Sequence, residues 1–456
     1  MIRRLGTCCA RLAHELVPDP FIFAALLTFL TLGMGVVLAH QTPWEMVSHW
    51  GRGFFELLAF GMQMTLILVT GHALAASPPI RRIIRTLADW PRGPRGAVAL
   101  VAAGACLGAL VNWGLGLIGG ALLARQVGES AARRGMAVHY PLLAAAGYSG
   151  MMVWHGGLSG TAPLTVASAG HFLEPALGII PISRTLFSPL NLVCSLGLLV
   201  LIPALMSAMS PSDVTATALP PATRREAVSA AADPDTAAPG GRRSVADRLD
   251  NSIVLALGLA TLGLGYSLQQ LRLESLRAGS FNLTLDLVNL FMLSLGLLLH
   301  LRPSSYLRAV GEAVRGTAGI ILQFPFYAGI MGMMKYSGLV AILSSLCVGL
   351  SGPRSFPLFA FLSAALVNLF VPSGGGQWAV QGPILTDAAR TLGVSIPRTI
   401  LALAYGDQWT NMVQPFWALA LLGIVGLKAR EIIGYTAALM LASGLWFALA
   451  LWLLPA

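Results

Sequence analysis

The chain has 456 residues, of which 56% are hydrophobic and 11% are charged, and its formal net charge is +10. Because long uncharged apolar runs recur along it, the composition excludes a soluble globular protein and predicts an all-α polytopic membrane protein. The positive charge does not indicate a nucleic-acid partner, since the arginines lie in short loops between apolar runs, as the positive-inside rule expects.

Nine segments are predicted to cross the bilayer. Arg3, Arg4 and Arg11 precede the first and favour a cytoplasmic N-terminus, so the odd number of crossings places the C-terminus outside. The first apolar run is too long for the core of a signal peptide and is interpreted as a retained helix. The predicted crossings are 20–40, 54–76, 138–168, 184–209, 251–271, 283–301, 316–335, 397–427 and 431–454.

Two further apolar segments, 96–124 and 355–386, are predicted to be re-entrant helical hairpins. The second is too long for one crossing and too short for two, and Pro372 to Gly376 interrupt it. Irregular backbone at bilayer depth is tolerated only inside protein or beside a watery cavity, so the tip of this hairpin is predicted to face a ligand. Re-entry of the first hairpin keeps the arginines on either side of it on one membrane face.

The two halves of the chain resemble each other. ALVNWGLGLIGGALLA at 109–124 aligns without gaps with ALVNLFVPSGGGQWAV at 365–380. An odd number of crossings separates the two repeats, so they are predicted to be inverted, with a binding site near the bilayer midplane. The predicted domains are a first repeat at 1–209, a disordered cytoplasmic linker at 210–250, a connecting transmembrane helix and external loop at 251–282, and a second repeat at 283–456.

Each half also contains a predicted broken helix, at 138–168 and at 397–427. The first is interrupted from Trp154 to Pro163, and the second from Tyr405 to Asn411, with Gln414-Pro415 just beyond. The N-terminal N–H groups of broken helices favour anions, and their C-terminal carbonyls favour cations. A carboxylate substrate and a coupling cation are therefore expected to share one site.

Asp407 is the strongest candidate for a residue that binds the coupling ion. A carboxylate near the middle of a crossing costs roughly 2.5–3.5 kcal/mol on insertion scales and usually has a function. The alternative is that the helix begins later and that Asp407 lies at the membrane interface. The candidate ion-coupling residues are Asp407, Asn411, Thr410, Asn112 and Asn368, with the coupling ion left open between H⁺ and Na⁺.

The substrate is predicted to bind mainly at the second hairpin tip, because the twin segment at 109–124 lacks its proline, serine, glutamine and tryptophan. Backbone N–H groups and two polar side chains would hold a carboxylate, and tryptophans would line an apolar pocket. Such tryptophans and buried amides can also be plain packing residues. The candidates are Ser373, Gly374, Gly375, Gly376, Gln377, Trp378, Trp154, His155, Leu158, Ser159, Gly119 and Gly120.

Two alternative functions, an intramembrane protease and a channel, belong to other classes. Gly157-Leu158-Ser159-Gly160 resembles the G-x-S-G of rhomboid intramembrane proteases, but no histidine stands in a recognisable context to activate Ser159. A channel is the other alternative, and no ring of charges or filter-like run of carbonyls supports it. The sequence thus favours a carrier over an enzyme.

The five cysteines show no C-x-x-C spacing, and three of them lie in apolar runs. They are interpreted as packing residues and not as disulfides or metal ligands. No cofactor is predicted.

At 368–383, NLFVPSGGGQWAVQGP, and at 147–160, GYSGMMVWHGGLSG, the sequence resembles the bacterial short-chain fatty acid transporter family. It is more distantly similar to the ion transporter superfamily that includes sodium-coupled dicarboxylate carriers. The resemblance implies uptake of short-chain monocarboxylates such as butyrate and acetoacetate, cation-coupled symport across the bacterial inner membrane, a homodimer, and a transport domain that moves like an elevator.

The hairpin tips depart from the distant dicarboxylate carriers. Those carriers have Ser-Asn-Thr at the tips, whereas this chain reads GLGLIGG at 114–120 and PSGGGQW at 372–378. The difference is expected to suit a substrate with one carboxylate and an apolar tail. Another small organic anion, such as a dicarboxylate, remains the alternative.

Overall fold

A computed structural model of the chain describes residues 2–16, 18–167, 170–171, 173–212, 214, 219, 244–278, 285–315 and 317–454. Every regular element in these ranges is a helix, which confirms the predicted all-α membrane fold. Most of the predicted linker at 210–250, and the loop that follows residue 278, lie outside the described residues.

The helices of the first half precede the linker. They are α1 (Ile2–Leu16), α2 (Pro20–Leu38), α3 (Pro43–Gly53), α4 (Leu58–Ala76), α5 (Pro78–Asp89), α6 (Pro94–Val111), α7 (Trp113–Arg133), α8 (Tyr140–Tyr148), α9 (Thr161–Ala167), α10 (Glu174–Leu177) and α11 (Pro189–Ala208), with 3₁₀ turns at Ser149–Met152, Trp154–Gly156 and Ile182–Arg184.

The helices of the second half begin at the C-terminal end of the linker. They are α12 (Val245–Asp250), α13 (Ile253–Ala278), α14 (Leu285–His300), α15 (Pro303–Val314), α16 (Ala318–Tyr336), α17 (Leu339–Gly349), α18 (Phe356–Asn368), α19 (Gly374–Thr391), α20 (Ile396–Thr410), α21 (Pro415–Val425) and α22 (Ala429–Leu453), with a 3₁₀ turn at Asn411–Val413.

The order of elements is the same in both halves. An apolar helix, a short helix that begins with proline, a second apolar helix and another short helix run from α2 to α5 and again from α14 to α17. A helical pair, an interrupted helix and a long apolar helix follow in each case, ending at α11 and at α22. This order fits an internal repeat; the inversion of the second copy stays a prediction.

Five described helices are long and apolar enough to cross a membrane. Four of them coincide with predicted crossings, and one is the first arm of the predicted re-entrant hairpin, so both the re-entry of that hairpin and the nine-crossing topology stay predictions. The five spans are Phe21–Leu38, Pro94–Val111, Pro189–Ala208, Ile253–Arg272 and Ala429–Leu453.

Several short helices lie outside the long uncharged runs of the sequence and were not predicted. Helices α1, α3, α5 and α15 carry charged side chains among their apolar ones, which is typical of helices that lie along a membrane interface. The expectation of a disordered linker is wrong at its C-terminal end. There Ser244 and Asp247 form a capping box that starts α12.

The first hairpin is formed by α6 and α7, which pack antiparallel and extend beyond the predicted 96–124 to Arg133. Their close approach requires glycine at position 116, where a Cβ would lie 2.4 Å from the Cβ of Ala109. The turn between the two helices is Asn112 alone. The expectation that 114–120 forms the tip is therefore wrong, because this segment is the first part of α7.

Candidate functional site

The tip of the second hairpin is an open helix N-terminus. Helix α18 ends at Asn368, and α19 begins at Gly374 with Ser373 as its cap, whose Oγ accepts a hydrogen bond of 3.2 Å from the N–H of Gly376. The first N–H groups of a helix have no acceptor within that helix. The N–H groups of Gly374 and Gly375 are therefore available to an anion, and the helix dipole favours one there.

The tip of the first hairpin, in contrast, is closed by its own neighbours. Oδ1 of Asn112 accepts from the N–H groups of Gly114 and Leu115 at 2.9 and 3.3 Å, and the Asn112 carbonyl accepts from Gly116 at 3.0 Å. The remaining N–H of the first turn, on Trp113, donates to Oγ of Ser159 at 3.0 Å. All four N–H groups that begin α7 thus have acceptors.

This closure changes the roles expected for three residues. Ser159 holds the first hairpin tip, so its hydroxyl has a structural contact. Gly119 and Gly120 lie inside α7, and a Cβ at Gly120 would be 2.2 Å from the carbonyl oxygen of Gly147 on α8. Gly120 is therefore a helix-packing residue, and neither glycine is at a hairpin tip.

We expect Ser159→Ala to destabilise the protein without abolishing transport. The change removes the acceptor of the buried Trp113 N–H, a loss of about 1–3 kcal/mol for a buried group in a soluble protein. Thermal unfolding in detergent should therefore move to lower temperature. Ser149→Ala is the control, because the buried Ser149 hydroxyl donates to the Ala146 carbonyl in the preceding turn and lies beside the Cys106 thiol, so its loss leaves no N–H of the hairpin tip unpaired. Complete loss of uptake by a folded Ser159→Ala protein would contradict the structural role.

His155 and Asp407 meet at the second tip. Both side chains are fully buried, and Nε2 of His155 lies 3.2 Å from Oδ1 of Asp407. A Cβ built at Gly374 would lie 2.8 Å from the same Nε2, so the imidazole sits between the N-terminus of α19 and the carboxylate. Asp407 lies within α20 and not at its start, which argues against the interfacial alternative.

The interruption of the second broken helix lies later than expected. Helix α20 continues through Tyr405 and Asp407 to Thr410, and the break runs from Asn411 to Gln414. The helix is held by close packing at Gly406, where a Cβ would be 2.2 Å from the carbonyl oxygen of Phe361 on α18. The first broken helix instead opens earlier than expected, directly after Tyr148.

Asn368 ties the second hairpin to this break. Its Nδ2 lies 2.8 Å from the Asp407 carbonyl oxygen, 3.0 Å from Oγ1 of Thr410 and 2.8 Å from Oδ1 of Asn411. Gln414 returns hydrogen bonds to the carbonyls at the end of α18, at 3.0 and 2.8 Å. Four of the five expected ion-coupling residues are thus neighbours, and Asn112 is in the other hairpin.

Gln377 joins the two helices of the second hairpin. Its Nε2 donates to the Ala364 carbonyl at 2.8 Å and to Oε1 of Gln381 at 2.9 Å, and Gln381 in turn donates to Ser363 of α18 at 2.9 Å. Both N–H bonds of the Gln377 amide are used, so it has none to offer a carboxylate. Its expected role in holding the substrate is therefore replaced by a role in joining α18 to α19.

An aromatic cluster adjoins the site. The Trp154 ring lies against His155, tilted by 34° with centroids 3.6 Å apart, and it lies 6.3 Å from the Trp113 ring and 6.1 Å from the Trp417 ring. Trp113 and Trp417 are 5.2 Å apart and complete the cluster. Leu158 is partly exposed beside the first tip, where its N–H donates to the Leu110 carbonyl. Trp378 packs against Gly382 within α19.

Sequence reasoning missed several residues of the site. Tyr148 donates to the Asn411 carbonyl at 2.7 Å, and Gln408 accepts from the His155 N–H at 2.9 Å. Trp113 and Trp417 belong to the aromatic cluster. The sequence does carry a signal for Gln408 and Tyr148, since polar side chains inside apolar segments tend to face protein and not lipid.

Buried polar atoms without hydrogen-bond partners are concentrated here. Buried polar groups are nearly always paired, so such a concentration points to a place where a ligand, an ion or water binds. Within the described ranges, no cluster of three or more His, Cys, Asp or Glu side chains is arranged to hold a metal. The atoms of the site without a hydrogen-bond partner include Nδ1 of His155, Oδ2 of Asp407, Oδ1 of Asn368, Nδ2 of Asn411, Oε1 of Gln377, Oε1 of Gln414 and Nε1 of Trp154, while Nε2 of His155 and Oδ1 of Asp407 face each other at 3.2 Å.

Comparison with known proteins gives a consistent family. The family model described as Short chain fatty acid transporter matches residues 1–454. A protein of Escherichia coli (strain K12), provisionally named a short-chain fatty acid transporter, is 42% identical over 451 residues and covers 99% of each chain. One of the same provisional name from Haemophilus influenzae (strain ATCC 51907 / DSM 11121 / KW20 / Rd) is 40% identical over 450 residues, covering 95% of this chain and 96% of that one.

Among solved structures, the YdaH transporter of Alcanivorax borkumensis is similar over 95% of this chain and 97% of its own, with a TM-score of 0.45 and 17% identity.

Proposed function

The chain belongs to the short-chain fatty acid transporter family, is a multi-pass membrane transporter and not an enzyme, and we propose that it carries short-chain monocarboxylates such as butyrate or acetoacetate by cation-coupled symport. The proposed setting is the bacterial inner membrane, with the N-terminus in the cytoplasm and the C-terminus outside. The family indicates no cofactor.

The observation that carries this proposal is the N-terminus of α19 facing His155. A carboxylate at this point would accept hydrogen bonds from the N–H groups of Gly374 and Gly375, and the imidazole Nε2 lies beside them. Charge-assisted hydrogen bonds to a carboxylate are shorter and stronger than neutral ones. The site therefore suits one carboxylate group.

The closed first tip supports a single carboxylate over two. Its four N–H groups have acceptors within the protein, so it offers no second set of backbone donors for the far end of a dicarboxylate. The aromatic cluster of Trp113, Trp154 and Trp417 lies on that side instead. An alkyl tail can bind against these rings. Its apolar surface is removed from water there, and the tail has no polar group that would lose a hydrogen-bond partner.

Asp407 supplies a physical reason for coupling. A bound carboxylate beside an ionised Asp407 would face like-charge repulsion inside the protein, where screening is weak. A cation bound at Asp407 removes this repulsion, so anion and cation bind best together. The cation is H⁺ if it is shared by Asp407 and His155, or Na⁺ if the unpartnered oxygens of Asp407, Asn368 and Gln414 take part.

Movement of the site between the two membrane faces belongs to the same proposal. Asp407 lies three residues before the end of α20, next to the break at Asn411, and His155 lies in the 3₁₀ turn between α8 and α9. A site at the midplane where two broken elements meet is the arrangement used by carriers with alternating access. An elevator movement within a homodimer is our working mechanism.

The proposed substrate class is tested by competition in proteoliposomes. Uptake of labelled butyrate should be inhibited by unlabelled acetoacetate and much less by succinate or by butyramide, which lacks the charge. Liposomes without protein are the control for passive entry of the free acid. Stronger inhibition by succinate than by acetoacetate would reject a monocarboxylate carrier in favour of a dicarboxylate carrier.

The apolar wall is tested with Trp417→Ala. Two additional buried CH₂ groups are worth about 1.6 kcal/mol, so the wild type should prefer butyrate to acetate by roughly 10-fold in kcat/KM. We expect the variant to lose most of this preference, mainly through a higher KM for butyrate. Trp446→Ala is the control, since Trp446 bonds to the Cys194 carbonyl outside the cluster. An unchanged preference in Trp417→Ala would remove Trp417 from the tail pocket.

A further inference from the structure

A second candidate site lies at one face of the membrane, away from the proposed transport site. A cavity of about 470 Å³ opens between the start of α16 and the end of α21 and is lined by Asp19, Arg315, Gln323, Leu419, Lys428 and Arg430, among others. The positive-inside rule assigns this face, which also carries the start of α2, to the cytoplasm. The volume falls in the range of sites for drug-sized ligands and exceeds what a small anion needs.

The rim of the cavity is positively charged. Arg315, Lys428 and Arg430 are exposed, and none of them makes an ion pair within the described part of the chain. The nearby carboxylates are already engaged as helix caps. Asp19 accepts from the N–H of Phe21 at 2.9 Å, and Glu431 accepts from the N–H of Lys428 at 2.7 Å.

Three long helices add to this charge with their positive ends. Helices α2, α16 and α22 begin at Pro20, Ala318 and Ala429, beside lining residues of the same cavity. The positive end of each helix dipole favours an anion. The C-terminal end of α21 also borders the cavity and is the negative end of a helix dipole, but three positive ends oppose this single negative one.

The cavity continues inward along apolar side chains. Gln323 is five residues into α16, about 8 Å below the start of that helix, and Leu419 is about 9 Å above the end of α21. Gln323 is 6% exposed, and its Oε1 has no hydrogen-bond partner, so a buried amide also faces this space. Because the two ends of an amide are assigned from their contacts, either its donor or its acceptor can meet a ligand.

We propose that this cavity binds the phosphate headgroup of an anionic phospholipid from the cytoplasmic leaflet. A cationic rim and an apolar interior match an amphiphile whose phosphate meets Arg315, Lys428 and Arg430 while its glycerol and upper acyl chain lie against Leu419 and Leu422. Basic pockets between membrane helices on the cytoplasmic side are suited to such headgroups. A free phosphate would use the rim and leave the apolar part unfilled.

The lipid would join two parts of the protein. The α16 side of the cavity adjoins α2, whereas the α21 side leads through Asn411 and Gln414 to the proposed transport site. A lipid held between them is expected to stabilise the folded transporter. The expected readout is therefore a lipid-specific rise in the temperature of unfolding.

The experiment compares full-length protein that has been purified in detergent and stripped of lipid. Phosphatidylglycerol, phosphatidylcholine or inorganic phosphate is added, and thermal unfolding is measured against ligand concentration. We expect phosphatidylglycerol alone to raise the unfolding temperature. The variant Arg315→Gln, Lys428→Gln, Arg430→Gln should bind it on the order of 100-fold more weakly, because each basic residue near an anionic lipid contributes about fivefold.

Two further variants separate this site from general charge effects. Arg82→Gln, Arg85→Gln, Arg92→Gln removes the same charge from exposed arginines outside the cavity and should leave the phosphatidylglycerol effect intact. Gly319→Phe retains every charge but fills the apolar part, since a Cβ there lies 3.7 Å from Cδ2 of Leu419. It should weaken the lipid effect.

Each contrary outcome rejects the proposal. Equal stabilisation by phosphatidylcholine would reject the headgroup charge. Equal stabilisation by inorganic phosphate, unaffected by Gly319→Phe, would show a free-anion site. An equal loss in the Arg82, Arg85, Arg92 variant would show binding by net charge alone.

Discussion

Asp407→Asn is expected to abolish concentrative uptake while leaving substrate exchange. The amide has the same shape as the carboxylate but accepts no proton and lacks the negative charge that attracts Na⁺, so the carrier can still move a substrate in both directions without an ion gradient driving it. Accumulation of butyrate above the external concentration should fall at least 10-fold toward simple equilibration. Uptake into liposomes preloaded with unlabelled butyrate should persist.

The matched control for Asp407 is Asp286→Asn. Asp286 accepts a hydrogen bond of 2.8 Å from Gln63 between α4 and α14, away from the hairpin tips, so its substitution also neutralises a carboxylate. It should leave accumulation close to that of the wild type. Full accumulation by a folded Asp407→Asn protein would remove Asp407 from the coupling mechanism.

Gly374→Ala is expected to reduce transport more strongly than Gly375→Ala. A Cβ at position 374 would lie 2.8 Å from Nε2 of His155 and 3.0 Å from Cη2 of Trp154, and both of these side chains are buried. Overpacking of this kind typically destabilises a fold by about 1–3 kcal/mol, and here the strain falls on the rings beside the proposed carboxylate site, so kcat/KM should fall as well. A Cβ at position 375 meets only Cγ2 of Thr161, at 3.4 Å, which is an ordinary contact.

The comparison of these two glycines is informative because both variants retain their backbone N–H groups. A loss confined to Gly374→Ala places the substrate carboxylate against His155. Thermal unfolding and gel filtration of both variants show whether the protein has folded. If both folded variants transport butyrate at the wild-type rate, the tip of α19 does not hold the substrate.

The second hairpin tip could be predicted from the sequence because proline and glycine interrupt an apolar run where lipid offers no hydrogen bonds. Asp407 could be found for a related reason, since a carboxylate in an apolar segment is costly. Both signals are local and depend on a strong energetic penalty. They placed Ser373, Gly374 and Asp407 in one region, where the structure also has them.

The remaining details depend on contacts between distant segments. Glycines at 114–120 look like a flexible tip, but packing against α6 and α8 holds them in a helix. Gln377 looks like a ligand for an anion until its contacts with Ala364 and Gln381 are known. The closure of the first tip by Ser159 joins residues that are 46 positions apart, which no local pattern reveals.

Ion-driven accumulation of labelled butyrate by the wild-type protein in proteoliposomes tests the proposed function most directly. An inward gradient of H⁺ or of Na⁺ is imposed separately, with succinate measured in parallel. We expect one of the two gradients to raise butyrate well above its equilibrium level, with little accumulation of succinate and none without protein. Butyrate that only equilibrates under both gradients, or succinate that accumulates in its place, would contradict a cation-coupled monocarboxylate carrier.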